Sequence, residues 1–410
     1  MRRLEVFLGD LPLGELLEDE PNPTTFRFLP EYRTMPNRPV LGQRFEDDLQ
    51  RVYKGKKGKL PAFFANLVPE GKLREVLGRH FGVTSDADWD FLAALGEDLP
   101  GAVRICPERP WQPRADTQSE NAFPIERSSA TERRGLHFSL AGVQMKLSMA
   151  LVDDRLTMPA RDELGRWIVK FDSNRFPCLP QNEHAMMEWA REAGFDVPEC
   201  RLLDTSSLAK AAVEHAPDGS KVLAVRRYDR LPDGGRLHQE DFAQVVGLLP
   251  ERKYDQITYE AMLGLSRQLL GDGGAREFIR RFALVIACGN NDAHLKNWSL
   301  LYANGIEPSW TPLYDQVSTI AWPDLASELA LKVAAVKAFR RLDEGALKRL
   351  AQKADFPEQE LIDLMNTTFR ALRDAWPRIQ DRIDFPVGHA QALKTHWEHV
   401  PLLKPFGPLD

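Results

Sequence analysis

The chain has only four cysteines in 410 residues, Cys106, Cys178, Cys200 and Cys288. No two stand close enough in sequence to read as a zinc or redox pair, so neither a metal knuckle nor a redox motif is expected. A reducing compartment fits, and Cys288, set in an apolar run, reads as core. Long hydrophobic runs are also missing. The longest, about Phe282 to Cys288, falls far short of a membrane span. The basic start Met1-Arg2-Arg3-Leu4-Glu5 loses its apolar run at Gly9-Asp10, too early for a signal peptide. These absences predict a cytoplasmic protein with no membrane partner. Positive charge is not in excess either. The balance of 54 Lys+Arg against 60 Asp+Glu gives a net charge of −6, so nothing global draws the chain to nucleic acid. The one dense basic run, Lys54-Gly55-Lys56-Lys57-Gly58-Lys59, reads as a solvated turn more readily than as a phosphate-backbone contact. The stretch Ser139–Lys146 is neither a Walker A nor a Gly-x-Gly-x-x-Gly sequence, and no internal repeat is visible.

What is present is enough chain for two or three packed units. Residues 1–106 predict a small α+β unit. Leu4–Leu8 and Thr25–Leu29 have strand character, and helices are expected near Leu60–Leu67 and over Asp86–Leu95, the second capped by Ser85 and stopped by Gly96. Residues 107–134, rich in Pro, Arg, Ser and Glu and without periodicity, read as a linker that would let the first unit pivot. Residues 135–228 predict a sheet with one helix. Trp167, Val169 and Phe171 alternate onto one strand face with Lys170 on the other, a helix runs from about Gln181 to Ala193 before Gly194, and Val222–Val225 forms another strand. Residues 229–410 are expected to be mainly helical. Ile257, Ala261, Leu265 and Leu269 recur at helical spacing, Phe278–Cys288 reads as a buried helix, and Leu361–Leu372 marks a late amphipathic helix that Pro377 should end or kink.

Chemistry concentrates in Asn291-Asp292-Ala293-His294-Leu295-Lys296-Asn297, followed by Asp315 in Pro312-Leu313-Tyr314-Asp315-Gln316. The Asp-to-Asn step of five positions matches a protein-kinase catalytic loop, and a later Asp completes the metal site there. Asp292 could accept a hydroxyl proton. Asn297 and Asp315 offer hard oxygens suited to magnesium, and Lys296 could neutralise a γ-phosphate. A lone Asp in such a loop is more often a turn cap, with His294 a satisfied loop histidine. Three matched positions after a buried helix reverse that preference.

Lys170, on a strand followed by a helix carrying Glu183 or Glu188, suits a lysine that holds α/β-phosphates; alone it would read as an exposed strand lysine. In Ser139-Leu140-Ala141-Gly142-Val143-Gln144-Met145-Lys146, Gly142 permits close backbone approach to a phosphate and Lys146 adds charge, although an ordinary hairpin explains the stretch as well. Arg226-Arg227-Tyr228 would join the lobes, with backbone groups reading an adenine edge and Tyr228 packing on the ring.

In order, these segments resemble the HipA family of serine/threonine kinase toxins. The resemblance rests on Phe138–Lys146, Ile168–Lys170, Asn182-Glu183, Val225–Arg230, His238–Phe242, Asn291–Asn297, Leu313–Asp315 and, near the N-terminus, Leu60–Gly71. It implies an α+β, two-lobed protein-kinase-like fold related to phosphatidylinositol 3/4-kinases, with an N-terminal α+β subdomain and a mainly helical C-terminal lobe. It implies ATP and magnesium as cofactors, Asp292 as catalytic base, Asn297 and Asp315 as metal ligands, and Lys170 on phosphate. Ala141, Gly142, Val143, Gln144, Lys146, Arg226, Tyr228, His294 and Lys296 would complete the ATP site. Ser139 falls on the family's regulatory autophosphorylated serine. Implied partners are a HipB-like helix-turn-helix antitoxin, operator DNA mainly through that antitoxin, and a protein substrate, with aminoacyl-tRNA synthetases as the family's targets. Arg226 departs from the type member's Glu, and Met145 from a commonly acidic position. Two other readings stay open: a small-molecule phosphotransferase, and a degenerate kinase acting as an antitoxin-binding corepressor.

Overall fold

In the computed structural model, residues 1–19, 23–56, 58–84, 86–108, 146–152, 155–157, 165–208 and 219–409 are described. The first sheet is antiparallel, in the order β4 (Tyr53–Lys54), β3 (Thr25–Phe28), β2 (Leu11–Glu18), β1 (Arg2–Leu8), β5 (Val103–Pro107). Alternation in β1 sends Leu4, Val6 and Leu8 inward, as a half-buried strand requires. Short helix Ala62–Ala65 begins after Pro61 and is shorter than the expected Leu60–Leu67. Helix Asp88–Leu95 carries Asp88 and Asp90 in its first turn, where the helix dipole favours them. The proposed cap Ser85 lies outside the described residues. Between these two, helix Gly71–Phe81 was not expected. Its polar composition hides it, but Leu73 and Leu77, one turn apart, are fully buried, and Gly82 ends it at φ +66°.

The second sheet runs β7 (Arg155–Thr157), β6 (Lys146–Val152), β8 (Trp167–Lys170), β10 (Lys221–Arg226), β9 (Cys200–Asp204). Its two faces do different work. Leu147, Met149, Trp167, Val169, Val222 and Ala224, with Phe171 just past the end of β8, form one continuous core with Leu4, Val6, Phe64 and Ile105 of the N-terminal unit. Residues 109–134 of the expected linker lie outside the described residues; the first unit backs the second sheet through this shared core, which argues against free pivoting. The other face carries Ile168, Lys170 and Val225 and roofs a cleft.

A larger core gathers the C-terminal elements together with helix Leu179–Glu192. That helix matches the expected one closely, and Gly194 follows its end at φ +87°. Helix Tyr259–Cys288 is interrupted by the non-helical Gly271. Of the recurring Ile257, Ala261, Leu265 and Leu269, Ala261 is exposed and the other three pack half-buried against this core, beside the fully buried Tyr259, Met262, Leu263 and Ser266. Helix Glu358–Gln380 buries Leu361, Met365, Thr368 and Leu372 as expected. It does not end at Pro377 but continues to Gln380, because one lost N–H near a C-terminus costs less than one in mid-helix. Among the described residues no helix is long and apolar enough to cross a membrane.

Strands β11 (His238–Asp241), β12 (Ser299–Tyr302) and β13 (Ser309–Trp310) form a small sheet beside the catalytic-loop candidate. The N-terminal unit docks here too. Gln43 donates its N–H to Glu240 Oε1 at 2.8 Å, and Tyr302 donates its hydroxyl to the same oxygen. Burial pushes the Glu240 carboxyl up to about 8 despite the Tyr302 bond. A folded value above the unfolded one means the neutral form is favoured on folding. That stabilisation is complete below about pH 4.3 and is lost as pH rises towards 8, at roughly 1 kcal/mol per pH unit. Thermal melts between pH 6 and 8 should fall for the natural chain and fall less for Glu240→Gln; parallel curves would contradict this.

Candidate active site

The catalytic-loop candidate starts where the long helix stops. Gly289 adopts φ +64°, and the N–H groups of Gly289 and Asn290 close the helix on Ile286 and Val285. A Cβ at Gly289 would meet Ile320 at 2.9 Å, so both conformation and space favour glycine. Asn290 Oδ1 accepts the Asp292 N–H at 2.9 Å, an Asx turn that swings the chain outward. The Asp292 carbonyl then accepts from His294 N at 2.7 Å and Asn297 Nδ2 at 2.8 Å. This ties Asp292 to Asn297 across the five-residue step. The Asp292 side chain is 53% exposed and receives the hydroxyl of Tyr254 on Oδ1. His294 Nε2 lies 3.8 Å from that oxygen, and burial pushes the imidazole down to about 4, so it is neutral near pH 7.

Sheet register sets the opposite wall. Lys146 of β6 pairs directly with Lys170 of β8, which puts two ammonium groups side by side. Such a pair needs compensating charge. Lys170 Nζ donates to Glu183 Oε1 at 2.5 Å and to Asp315 Oδ1. Burial alone would depress Lys170, but Asp315 and Glu183 outweigh it and hold its ammonium above the usual lysine range. Asp315 is held low: burial opposes ionisation, and Lys170, then Lys146, overcome it. Glu183 is pushed up because burial wins over Lys170 there. Burial, partly offset by Asp315, lowers Lys146. Asp315 itself has φ +53°, the left-handed region that few side chains adopt. Helix Leu179–Glu192 anchors the segment after Asp315 through Asn182, whose amide bonds both the N–H of Ser318 at 2.8 Å and its carbonyl at 3.2 Å.

Between these walls lies a cleft of about 1310 Å³. Lys146, Lys170, Arg226, Tyr228, Asp292, His294, Lys296, Asn297 and Asp315 all line it. Ile168 and Val225 give its roof an apolar strip. Ser139, Ala141, Gly142, Val143 and Gln144 lie outside the described residues.

Three candidates sit differently from the sequence reading. Lys296 faces the cleft, but its ammonium is engaged by Glu70 Oε1 at 2.5 Å and Asn66 O at 3.1 Å. At the hinge, the N–H groups of Arg226 and Arg227 are committed to Glu199 O and Arg166 O, each at 2.8 Å, and are not free to read an adenine edge. The Arg226 side chain pairs with Glu199 at 3.4 Å. Tyr228 donates its hydroxyl to Gln239, and its ring tilts against Tyr314 at 6.3 Å. Arg227 and Arg230 form a buried network with Asp98 and Asp229 that bolts the hinge to the N-terminal unit.

Tyr254, Lys253 and Glu70 escaped the sequence reading as site residues. Tyr254 stands 38 positions from Asp292, and no spacing rule links them. For a metal, the donor set is informative. Among the described residues no three His, Cys, Asp or Glu side chains form a cage. The Asp315 carboxylate, bonded to Lys170, and the Asn297 amide oxygen offer two hard donors lining the same cleft. That set fits magnesium, which keeps waters and shares phosphate oxygens.

Compared with known protein families, residues 4–106 match the HipA N-terminal domain and residues 138–376 match the HipA-like C-terminal domain. The chain belongs to the HipA family. Within it, Y4dM of Sinorhizobium fredii, named as a candidate kinase, is 35% identical over 98% of both chains. The serine/threonine-protein kinase toxin HipA of Shewanella oneidensis is 25% identical over 80% of this chain and 78% of its own. A solved complex of Shewanella oneidensis HipA with HipB and operator DNA superposes with a TM-score of 0.74, at 21% identity, over 98% of this chain and 96% of that one. This HipA-family chain therefore has the α+β HipA fold, with its sheet-built and helical parts on either side of the cleft.

Proposed function

We propose that the protein is an ATP-dependent serine/threonine-protein kinase toxin, held in check by a HipB-like antitoxin that carries most of the operator contact. The observation that carries this reading is the meeting of Lys170, Asp292, Asn297 and Asp315 in one cleft. Lys170, kept charged by its carboxylate partners, would hold the ATP phosphates. Asn297 and Asp315 would hold magnesium, which when bound supplies positive charge to the phosphate oxygens. Asp292 would accept the proton of the acceptor hydroxyl as the new O–P bond forms and the bond to the leaving ADP oxygen breaks. His294, its basicity lowered by burial, would pack the loop. The family likeness supports an aminoacyl-tRNA synthetase as target and Ser139 as a self-modification site, with growth arrest as the outcome.

The test is incubation of the purified chain with γ-labelled ATP, magnesium and bacterial lysate. Label on serine or threonine of protein is expected. Label confined to a small metabolite would replace this reading with a small-molecule phosphotransferase. Absence of nucleotide binding alongside tight antitoxin binding would replace it with a corepressor.

Tyr254→Phe should lower kcat roughly fivefold, the scale of one lost hydrogen bond of about 1 kcal/mol. The variant removes only the hydroxyl that steadies Asp292. Steady-state kinetics with unchanged ATP affinity would check it.

A further inference from the structure

Glu70 stands at the start of helix Gly71–Phe81 in the N-terminal unit, yet makes no side-chain cap to its own helix. Its carboxylate reaches across to the C-terminal lobe instead. Oε1 accepts from Lys296 at 2.5 Å and Oε2 from Lys253 at 2.9 Å. Both lysines are buried, at 9% and 6% exposure. A buried ammonium needs a charged partner, and this one carboxylate serves two of them. Lys296 and Lys253 in turn hold Glu70 down at about 2, against the upward push of burial.

The two lysines lie on the two segments that meet at Asp292. Lys296 is within the catalytic loop. Lys253 accepts the Leu295 N–H on its carbonyl at 3.3 Å, and the next residue, Tyr254, donates to Asp292. Asn66, at the end of the preceding helix Ala62–Ala65, adds its carbonyl to Lys296 and donates Nδ2 to Leu248 O at 2.8 Å. Leu67, Val76 and Arg79 of the same unit line the cleft.

We infer that Glu70 is a positioning residue for phosphoryl transfer: a carboxylate of the N-terminal unit that fixes Lys296 and Lys253, and through them the catalytic loop and Tyr254, around Asp292. This rests on the kinase reading above. It makes the N-terminal unit part of the active site. A contact built only to draw Lys296 away from phosphate would not need the second lysine, whose neighbour holds the base.

The experiment compares the full chain with Glu70→Gln and Glu70→Asp. Single-turnover phosphate transfer from magnesium-ATP to protein, ATP affinity by calorimetry, and thermal melts are measured. Glu70→Gln should lose about tenfold or more in transfer rate, since small misplacements of reacting groups are costly, with ATP affinity nearly unchanged. Glu70→Asp should recover part of the rate. Glu70→Gln combined with Tyr254→Phe should lose less than the product of the two single losses. A folded Glu70→Gln chain with natural or faster transfer would overturn the inference, and faster transfer would identify an inhibitory clamp. Should Glu70→Gln fail to fold, Lys253→Met decides: a natural rate there overturns the inference. A natural chain that transfers no phosphate overturns both readings, whereas a natural chain and Glu70→Gln with equal rates overturn this one alone.

Discussion

Asp292→Asn is expected to cut phosphate transfer by about a hundredfold to ten-thousandfold, the contribution of a positioned general base, and to leave folding stability within about 0.5 kcal/mol. The separation of the two effects follows from how the residue is held. Its backbone carries the local architecture: N–H to Asn290, carbonyl to His294 and Asn297. Its side chain is 53% exposed and bonded to one partner, the Tyr254 hydroxyl. Asparagine keeps the shape and an oxygen acceptor for Tyr254 and loses the capacity to take a proton. The loss should therefore fall on kcat, with ATP affinity preserved by Lys170 and the metal donors. Single-turnover labelling and thermal melts of the same preparations check this. A folded variant retaining near-natural transfer would remove Asp292 from the chemistry. Growth arrest that persists fully in cells expressing it would detach toxicity from phosphoryl transfer.

The spacing of Asp292, Asn297 and Asp315 is legible in sequence because one tight turn and the short paired strands β12 and β13 link them, and local geometry travels with local sequence. Lys170 is legible for a related reason. Strand alternation assigns Trp167, Val169 and Phe171 to one face and leaves Lys170 on the other, and the fold keeps that assignment. What sequence could not deliver is contact between distant segments. Glu70 reaches Lys296 across 226 positions, and Asp98 reaches Arg230 across 132. Nothing in a one-dimensional pattern marks those pairs. The helix Gly71–Phe81 escaped because two buried leucines are a thin signal among charged neighbours. The recurrence Ile257–Leu269 marked the helix and a half-buried edge of the core but not its fully buried Met262 and Leu263, because Ala261 keeps a helical period without being buried. The N-terminal unit looked detachable because the linker composition is conspicuous, while the apolar face it covers is spread over four strands of another sheet.

Lys170→Met should be the most damaging single change to stability. It strands Glu183, which is fully buried, and Asp315, whose carboxylate is partly exposed to the cleft. Removing one member of a buried charge cluster costs about 3–5 kcal/mol, because the remaining charge keeps its desolvation penalty and loses its compensation. Exposure of Asp315 to the cleft places this case near the lower end. The pH dependence gives the cause away. In the natural chain, Asp315 is held below its unfolded value of about 3.9, so its stabilising contribution is present above that value and is lost as pH falls through the lower folded one. In the variant, Lys170 no longer opposes burial. Glu183, already pushed up, rises further above its unfolded value of about 4.3, and its neutral form becomes the one folding favours. The variant should therefore regain stability as pH is lowered from 7.5 to 5.5, and its deficit against the natural chain should shrink. Urea unfolding at the two pH values measures this, and a deficit that stays constant would mean that the lysine contributes packing rather than charge. Phosphate transfer should fall by about a hundredfold to a thousandfold in the folded fraction, because the ammonium that compensates two carboxylates is the one we propose to hold the phosphates. Glu183→Gln distinguishes the two roles: it should retain the cation in the cleft, lose less stability, and keep a measurable share of transfer.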